Sequence, residues 1–144
     1  MTLFQKWFLW TTSIVTGASG LALWWMDSFM EPVSDWAVIN HPLQPWMLKA
    51  HVLAAPLLVF AVGLIGAGHV WKHFRRRVRR ARPSGLLTMW MLAPMVLSGY
   101  LIQVVTVPPA LTALAWVHIG TGLAYLVGLA GHRVALRPGR ATRM

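Results

Sequence analysis

The chain has 144 residues, of which 57% are hydrophobic and only 11% are charged. Soluble domains carry about 25% charged residues because their surfaces face water, so this composition excludes an ordinary soluble domain and predicts an integral membrane protein. The chain has no cysteine, which excludes disulfides, cysteine-bound iron–sulfur clusters and haem attached through a cysteine pair. Its net charge of +10 does not indicate nucleic acid, because the basic residues cluster directly after apolar segments, as in cytoplasmic loops.

Apolar segments in four places predict four transmembrane helices, because about 20 apolar residues cross a bilayer as a helix. We therefore expect an all-α fold, an integral membrane four-helix bundle that forms a single domain over residues 1–144. The predicted helices cover about residues 6–28, 45–73, 85–105 and 110–136. The first is interpreted as a spanning helix and not as a signal peptide, since a single lysine precedes its apolar run.

The segments between the predicted helices differ in charge. Residues 27–43 hold all three acidic residues. The outer loop at 29–44 is expected to include a short interfacial helix around Trp36 to Ile39. A basic cytoplasmic loop is predicted at 74–84. The uncharged pair Pro108-Pro109 predicts a tight turn before the last helix.

Lysines and arginines predict the orientation of the chain. Twelve of the thirteen lie on one predicted side, and Lys49 alone lies on the other. Cytoplasmic segments carry the excess of these residues, so both termini are expected in the cytoplasm, with the protein in a bacterial inner membrane. Tryptophans are expected in belts at the two membrane surfaces. The outer belt contains Trp24, Trp25, Trp46 and Trp116, and the inner belt contains Trp7, Trp10, Trp71 and Trp90.

Apart from His41 in the outer loop and His73 at the end of the second predicted helix, the histidines form one pair on each of two predicted helices. His51 and His69 are eighteen residues apart, which is five turns at about 3.6 residues per turn. His118 and His132 are fourteen residues apart, about four turns with a mismatch of roughly 40°. Each pair therefore shares a helix face. Because both helices run inward, they offer outer and inner histidines at matched depths, as two bis-histidine haem sites between helices require.

Other interpretations of these residues stay open. Histidines also serve as polar contacts between helices, although intramembrane ionisable residues are a functional hypothesis by default. His41 and His73 fit ordinary solvated or interfacial positions. The glycines of the second and fourth helices fit close approach of a macrocycle, and they fit plain helix packing equally well. Met47 and Met95 are alternative axial ligands if a histidine fails.

Three segments carry a resemblance to a known family. They are His41-Pro-Leu-Gln-Pro-Trp46, Lys49-Ala-His51 and His118-Ile-Gly-Thr-Gly122. With the paired histidines and the basic loop, they resemble membrane-bound b-type cytochromes, in particular short four-helix members of the bacterial cytochrome b and formate dehydrogenase gamma-subunit superfamily. The family's ligand spacing matches the fourth helix but not the second. The family often places a ligand on the first helix, which here has no histidine.

The resemblance implies electron transfer through haem b, with iron ligands from the two helices. Two haems, between His51 and His118 and between His69 and His132, are expected; a single haem between His51 and His118 is the alternative. Cationic side chains suit the haem propionates. Lys49 is the candidate at the outer haem and Arg133 or Arg75 at the inner one, although these residues also set the topology.

The chain lacks a catalytic constellation, so it is expected to pass electrons as a subunit of a redox complex. A quinone would bind near His73 or Tyr100. A periplasmic redox protein or a larger subunit would dock on the acidic outer surface. Two other classes stay open: a scaffold or small transporter subunit whose histidines bind protons or metal, and an assembly factor that binds haem in transit. No carboxylate lies inside the bilayer part of the predicted spans, since Asp27 comes only after the apolar run Phe8 to Met26, whereas proton-coupled transport commonly uses one.

Overall fold

The computed structural model describes residues 1–32, 34, 36–66 and 82–135, and within these the protein is all-α. The helices are α1 (Leu3–Phe29), α2 (Gln44–Ile65), α3 (Arg82–Ile102) and α4 (Pro108–Ala135). The predicted ligand His69, the end of the second predicted helix, and most of the basic loop and tail lie outside the described residues.

Local hydrogen bonds fix the start of α1 and the end of α3. Thr2 and Gln5 form a capping box, in which the Thr2 hydroxyl accepts from the Gln5 N–H at 3.2 Å and the Gln5 side chain accepts from the Thr2 N–H at 2.9 Å. The helix α3 ends at Ile102, whereas the sequence predicted an end at about 105. The N–H groups of Gln103 and Val104 there donate to carbonyls three residues earlier, at 3.1 Å each, which closes the helix with a tighter turn.

Two expectations about the loops are wrong. Pro108 is the first residue of α4, so the proline pair begins the helix instead of forming a turn before it. Proline suits this position because its φ angle is already helical and its missing N–H would have had no partner within the helix. The segment Trp36 to Ile39 forms no helix. The Ala37 N–H donates to the Ser34 carbonyl at 2.9 Å in an isolated turn, which is followed by bends.

In the part of the chain that the structure describes, three helices are long and apolar enough to cross a membrane, which indicates a multi-pass membrane protein. The spans are Gln44–Ile65, Gly85–Ile102 and Pro108–Val134, with mean hydropathies of 2.1, 1.6 and 1.6. Although α1 is not among them, its 27 residues are long enough at about 1.5 Å per residue. Hydroxyl residues and glycines in its middle lower its hydropathy.

The polar residues of α1 lie on its buried side. Thr12, Ser13, Thr16 and Ser19 are at most 8% exposed, and their spacing of three or four residues places them on one face. The exposed face is apolar and includes Leu3, Phe4, Trp7, Ile14, Leu21, Trp25 and Phe29. Small polar residues inside and large apolar residues outside are typical of helices that pack in hydrocarbon. This distribution supports a fourth span.

The chain divides into two compact units, Met1–Arg77 and Val78–Met144. Within its described part, each unit is a helical hairpin: α1 packs on α2 in the first, and α3 packs on α4 in the second. In the first hairpin Phe8 meets Phe60 edge to face at 6.2 Å, and Leu58 and Ala61 of α2 are buried.

Asn40 and His41 attach the outer loop to both helices of the first hairpin. The Asn40 side-chain amide donates to the carbonyls of Met26 at 3.1 Å and Asp27 at 3.4 Å, near the end of α1. The His41 Nδ1 accepts from the Leu43 N–H at 3.1 Å. Leu43 is the N-cap residue of α2 and has no capping side chain, so His41 has a structural role at this helix start.

Both predicted belts contain exposed tryptophans. Their exposed fractions lie between 54% and 73%, at Trp7, Trp25, Trp46, Trp90 and Trp116. In the outer loop Trp36 and Val38 are also almost fully exposed. Large apolar side chains in these positions suit the headgroup region of a bilayer.

Candidate functional site

His51 of α2 lies directly on the backbone of α1. Its ring Nδ1 is 2.9 Å from the Thr16 carbonyl oxygen and 3.3 Å from the Ser19 hydroxyl oxygen. A Cβ atom added to Gly20 would lie 2.8 Å from the ring Cε1 and 3.1 Å from Nδ1. Only glycine therefore allows the imidazole to come this close to the helix.

His118 of α4 has the same surroundings on α3. Its Nδ1 is 2.9 Å from the Met95 carbonyl oxygen and 3.4 Å from the Ser98 hydroxyl oxygen. A Cβ atom added to Gly99 would lie 2.9 Å from Cε1 and 3.2 Å from Nδ1. Each of these distances agrees with its counterpart around His51 within about 0.1 Å.

The two sites share one pattern, which we call the Ser-Gly motif: a residue that offers its carbonyl, a serine three residues later and a glycine four residues later. The motifs run from Thr16 to Gly20 and from Met95 to Gly99. The carbonyl lies one helical turn before the glycine and on the same face, so a ring that rests on the glycine reaches it. The serine hydroxyls donate to their own helices, to the carbonyl four residues back, at 2.7 Å for Ser19 and 2.6 Å for Ser98. An oxygen lone pair is then left to face the ring.

The carbonyl contacts determine which ring nitrogen holds the proton. A carbonyl oxygen only accepts hydrogen bonds, so Nδ1 of His51 and of His118 must donate. In the neutral ring the lone pair then belongs to Nε2. Metal-binding histidines commonly have this arrangement, in which the second nitrogen donates to a carbonyl and fixes the ring orientation. In each ring Nε2 is therefore the nitrogen that could bind a metal.

His132 lies against a third glycine, near the start of α3. A Cβ atom added to Gly85 would lie 3.3 Å from both Cε1 and Nδ1 of the ring. Gly85 and Gly99 are fourteen residues apart on α3, as are His118 and His132 on α4. The two contacts are therefore about 21 Å apart along the helices, and both rings lie on the same side of α4.

The first hairpin has no matching second histidine at this spacing. The residue fourteen positions after His51 is Ile65, which is buried. The predicted inner ligand of this hairpin, His69, lies outside the described residues, as do His73 and Arg75.

The residues predicted near the haem propionates are exposed. The Lys49 ammonium lies 4.8 Å from the centre of the Trp46 ring, a cation–π contact. Arg133 follows His132 in the last turn of α4, where a cation also stabilises the helix end. Met95, an alternative axial ligand, contacts His118 through its backbone carbonyl.

The glycines that contact histidines are not those singled out from the sequence. A Cβ atom on Gly63, Gly66, Gly120 or Gly131 would meet nothing within 4 Å. The contacting glycines lie on α1 and α3 and were missed. A sequence signal for them does exist: Ser-Gly occurs three times in the chain, at Ser19-Gly20, Ser84-Gly85 and Ser98-Gly99, and each of these glycines contacts a histidine.

Among the described residues, no three histidine, cysteine or acidic side chains come together as a metal-binding group; axial haem ligation takes two imidazoles. No protein-family model, curated protein or solved structure matches the chain. The resemblance to b-type cytochromes therefore depends on the residues of the chain itself.

Proposed function

We propose that the protein is a membrane-bound b-type cytochrome in which His51 and His118 would hold one haem iron. The observation that carries this proposal is the Ser-Gly motif in each hairpin. Each motif anchors one imidazole through Nδ1, with matching distances. Bis-histidine ligation uses two imidazoles that coordinate through Nε2, and the Nδ1 contacts of both rings support that role.

The residues around the two rings fit this role. The carbonyls of Thr16 and Met95 hold the proton on Nδ1, and hydrogen bonds of this kind raise the basicity of a metal ligand. Gly20 and Gly99 hold the rings against their helices. Haem bound here would supply a one-electron carrier inside the hydrocarbon, which bars charged carriers.

The proposal places four helices across the bacterial inner membrane, with α1 as the fourth span and both termini in the cytoplasm. His51 lies seven residues from the start of α2, and His118 lies ten residues from the start of α4. Each histidine therefore lies in the first half of its own helix.

A second haem between His132 and His69 is part of the proposal and would extend the route to the cytoplasmic side. Lys49 is proposed for the propionates of the outer haem and Arg133 for those of the inner one. Electrons would be exchanged with quinone, and with a periplasmic redox protein or a larger subunit. Asp27 and Glu31, which are exposed in the outer region, would form part of that docking surface.

The direct test replaces each ligand in turn. We expect His51→Ala and His118→Ala each to abolish the spectrum of the haem they would share, because a single imidazole would then hold the iron. His41→Gln is the matched control, since the described contacts of His41 are with Leu43 and Gln44 at the start of α2 and with neither proposed ligand, and it should keep the full haem content. The proposal is wrong if both ligand variants keep the wild-type spectrum and haem-to-protein ratio.

The rival function of a transporter or scaffold would use the same histidines as polar contacts between helices, but it lacks an intramembrane carboxylate on three of the helices. α2, α3 and α4 contain no aspartate or glutamate, whereas proton-coupled transport commonly uses an intramembrane carboxylate. That rival predicts protein that is pure, folded and free of haem even when haem supply is ample.

A further inference from the structure

Each of the three Ser-Gly dipeptides of the chain contacts a histidine of the following helix. Plain helix packing requires small residues, but it does not require a serine before each glycine. At the two motifs that the structure describes fully, the serine oxygen is 3.3–3.4 Å from the histidine Nδ1. The dipeptide therefore combines two features, a surface without Cβ and an extra oxygen beside the ring N–H.

The glycine and the serine act on the ring in different ways. The glycine allows the close approach that brings Nδ1 to the carbonyl one turn earlier at 2.9 Å. The serine hydroxyl donates to its own helix and also approaches the same carbonyl, at 3.1 Å for Ser19 and 3.0 Å for Ser98. Its oxygen thus adds a second, longer acceptor for the ring N–H. When the Nδ1–H group donates to more acceptors, the ring becomes more basic, and Nε2 binds a metal more strongly.

We propose that Ser19-Gly20 and Ser98-Gly99 are positioning pairs: each glycine selects the Nδ1–H tautomer of its histidine, and each serine increases the donor strength of Nε2. This inference rests on the proposed function and deepens it, because the metal that Nε2 would bind is the haem iron. It concerns the state of the rings before haem binds, so it can be tested separately from haem binding.

The first experiment needs no haem. In full-length protein prepared without haem and labelled with ¹⁵N-histidine, nitrogen NMR distinguishes the two neutral tautomers. His51 and His118 are expected as Nδ1–H tautomers, assigned by loss of their signals in His51→Gln and His118→Gln. Gly20→Ala should shift His51 alone towards Nε2–H, and Gly99→Ala should shift His118 alone. Gly63→Ala is the control, since its added methyl meets open space. Nε2–H tautomers in the unaltered protein would overturn the proposal.

The second experiment uses the haem-loaded protein and removes one hydroxyl at a time. Ser19→Ala and Ser98→Ala should keep the haem but raise its midpoint potential, because a less basic ligand stabilises ferric iron less. The double variant should show the sum of both shifts. Thr112→Ala removes an exposed hydroxyl that donates to its own helix at 3.2 Å, and it should leave the potential unchanged. Unchanged potentials in both serine variants would show that the serines only support packing, and would overturn their assigned role.

The two experiments distinguish failure of the positioning pairs from failure of the proposed function. Nδ1–H tautomers that respond to the glycine variants, in a protein that binds no haem, would confirm the glycines' role and refute haem binding. A bound haem with Nε2–H tautomers in the haem-free protein would refute the positioning pairs and leave the proposed cytochrome intact.

Discussion

Alanine at Gly20 has an effect that can be worked out from the structure. The new methyl carbon would lie 2.8 Å from the His51 Cε1, and ordinary contact begins at 3.4 Å, so the ring must retreat by at least about 0.6 Å. A retreat of that size stretches the 2.9 Å contact with the Thr16 carbonyl beyond the usual hydrogen-bond range. Overpacking typically costs about 1–3 kcal/mol, and a lost hydrogen bond costs about 0.5–1.5 kcal/mol.

A series of alanine variants separates this clash from the effect of alanine itself. Alanine stabilises a helix by up to about 1 kcal/mol relative to glycine, and this gain is common to all members. Gly20→Ala and Gly99→Ala, with contacts of 2.8 and 2.9 Å, should be less stable than Gly63→Ala and Gly131→Ala, which meet open space. The expected difference is about 1–3 kcal/mol. Gly85→Ala, at 3.3 Å, should fall between the two groups.

The assay is the free energy of unfolding from reversible SDS titration in mixed micelles, followed by circular dichroism. Gly20→Ala is also measured in a His51→Ala background, where the clash is absent and alanine should be neutral or stabilising. Such a double-mutant cycle isolates the coupling between the two residues. The clash would be refuted if Gly20→Ala and Gly63→Ala had equal free energies of unfolding. It would also be refuted if Gly20→Ala lowered the free energy of unfolding equally with and without His51.

Three further predictions concern the first hairpin. Among the described residues, the buried hydroxyl of Thr16 has no hydrogen-bond partner, so Thr16→Val should raise the free energy of unfolding by about 1 kcal/mol; a lower free energy of unfolding would contradict the burial of an unsatisfied hydroxyl. Asn40→Ala removes two hydrogen bonds to the end of α1 and should lower stability by about 1 kcal/mol in the same titration, whereas no change would show that these bonds contribute nothing. Because the chain has no cysteine, Val38→Cys and Thr2→Cys report topology cleanly. A membrane-impermeant maleimide should label Val38→Cys in intact cells and Thr2→Cys only after permeabilisation, and labelling of both in intact cells would refute four spans.

The helices were largely predictable from the sequence because apolar length alone identifies a span. The described residues form four helices at the predicted places, and three of these helices meet the length and hydropathy expected of a span. α1 does not reach the mean hydropathy of a span because its buried face is polar. A mean hydropathy along the sequence does not reveal on which face the polar residues lie. The proline pair at 108 was misread because proline is compatible with a turn and with the first helical turn, and only the backbone distinguishes them.

The candidate site was only half predictable. Histidines stand out in an apolar chain, so His51 and His118 could be selected by type and spacing. Their partners could not, since the contact between Gly20 and His51 depends on the register of α1 against α2. Once that register is known, the repeated Ser-Gly dipeptide becomes interpretable. Glycines nearer the histidines in sequence, such as Gly120, face open space, so proximity along the chain was misleading.

The central claim is that two histidines, one from each hairpin, bind a haem, and one measurement tests it most directly. The protein, purified from cells with ample haem supply, is examined by reduced-minus-oxidised absorption spectroscopy, and haem per chain is determined by pyridine extraction. The account predicts a low-spin b-type spectrum. Two haems per chain would support both histidine pairs, and one haem would support His51 and His118 alone. Folded protein without haem would contradict the account and favour the scaffold or transporter.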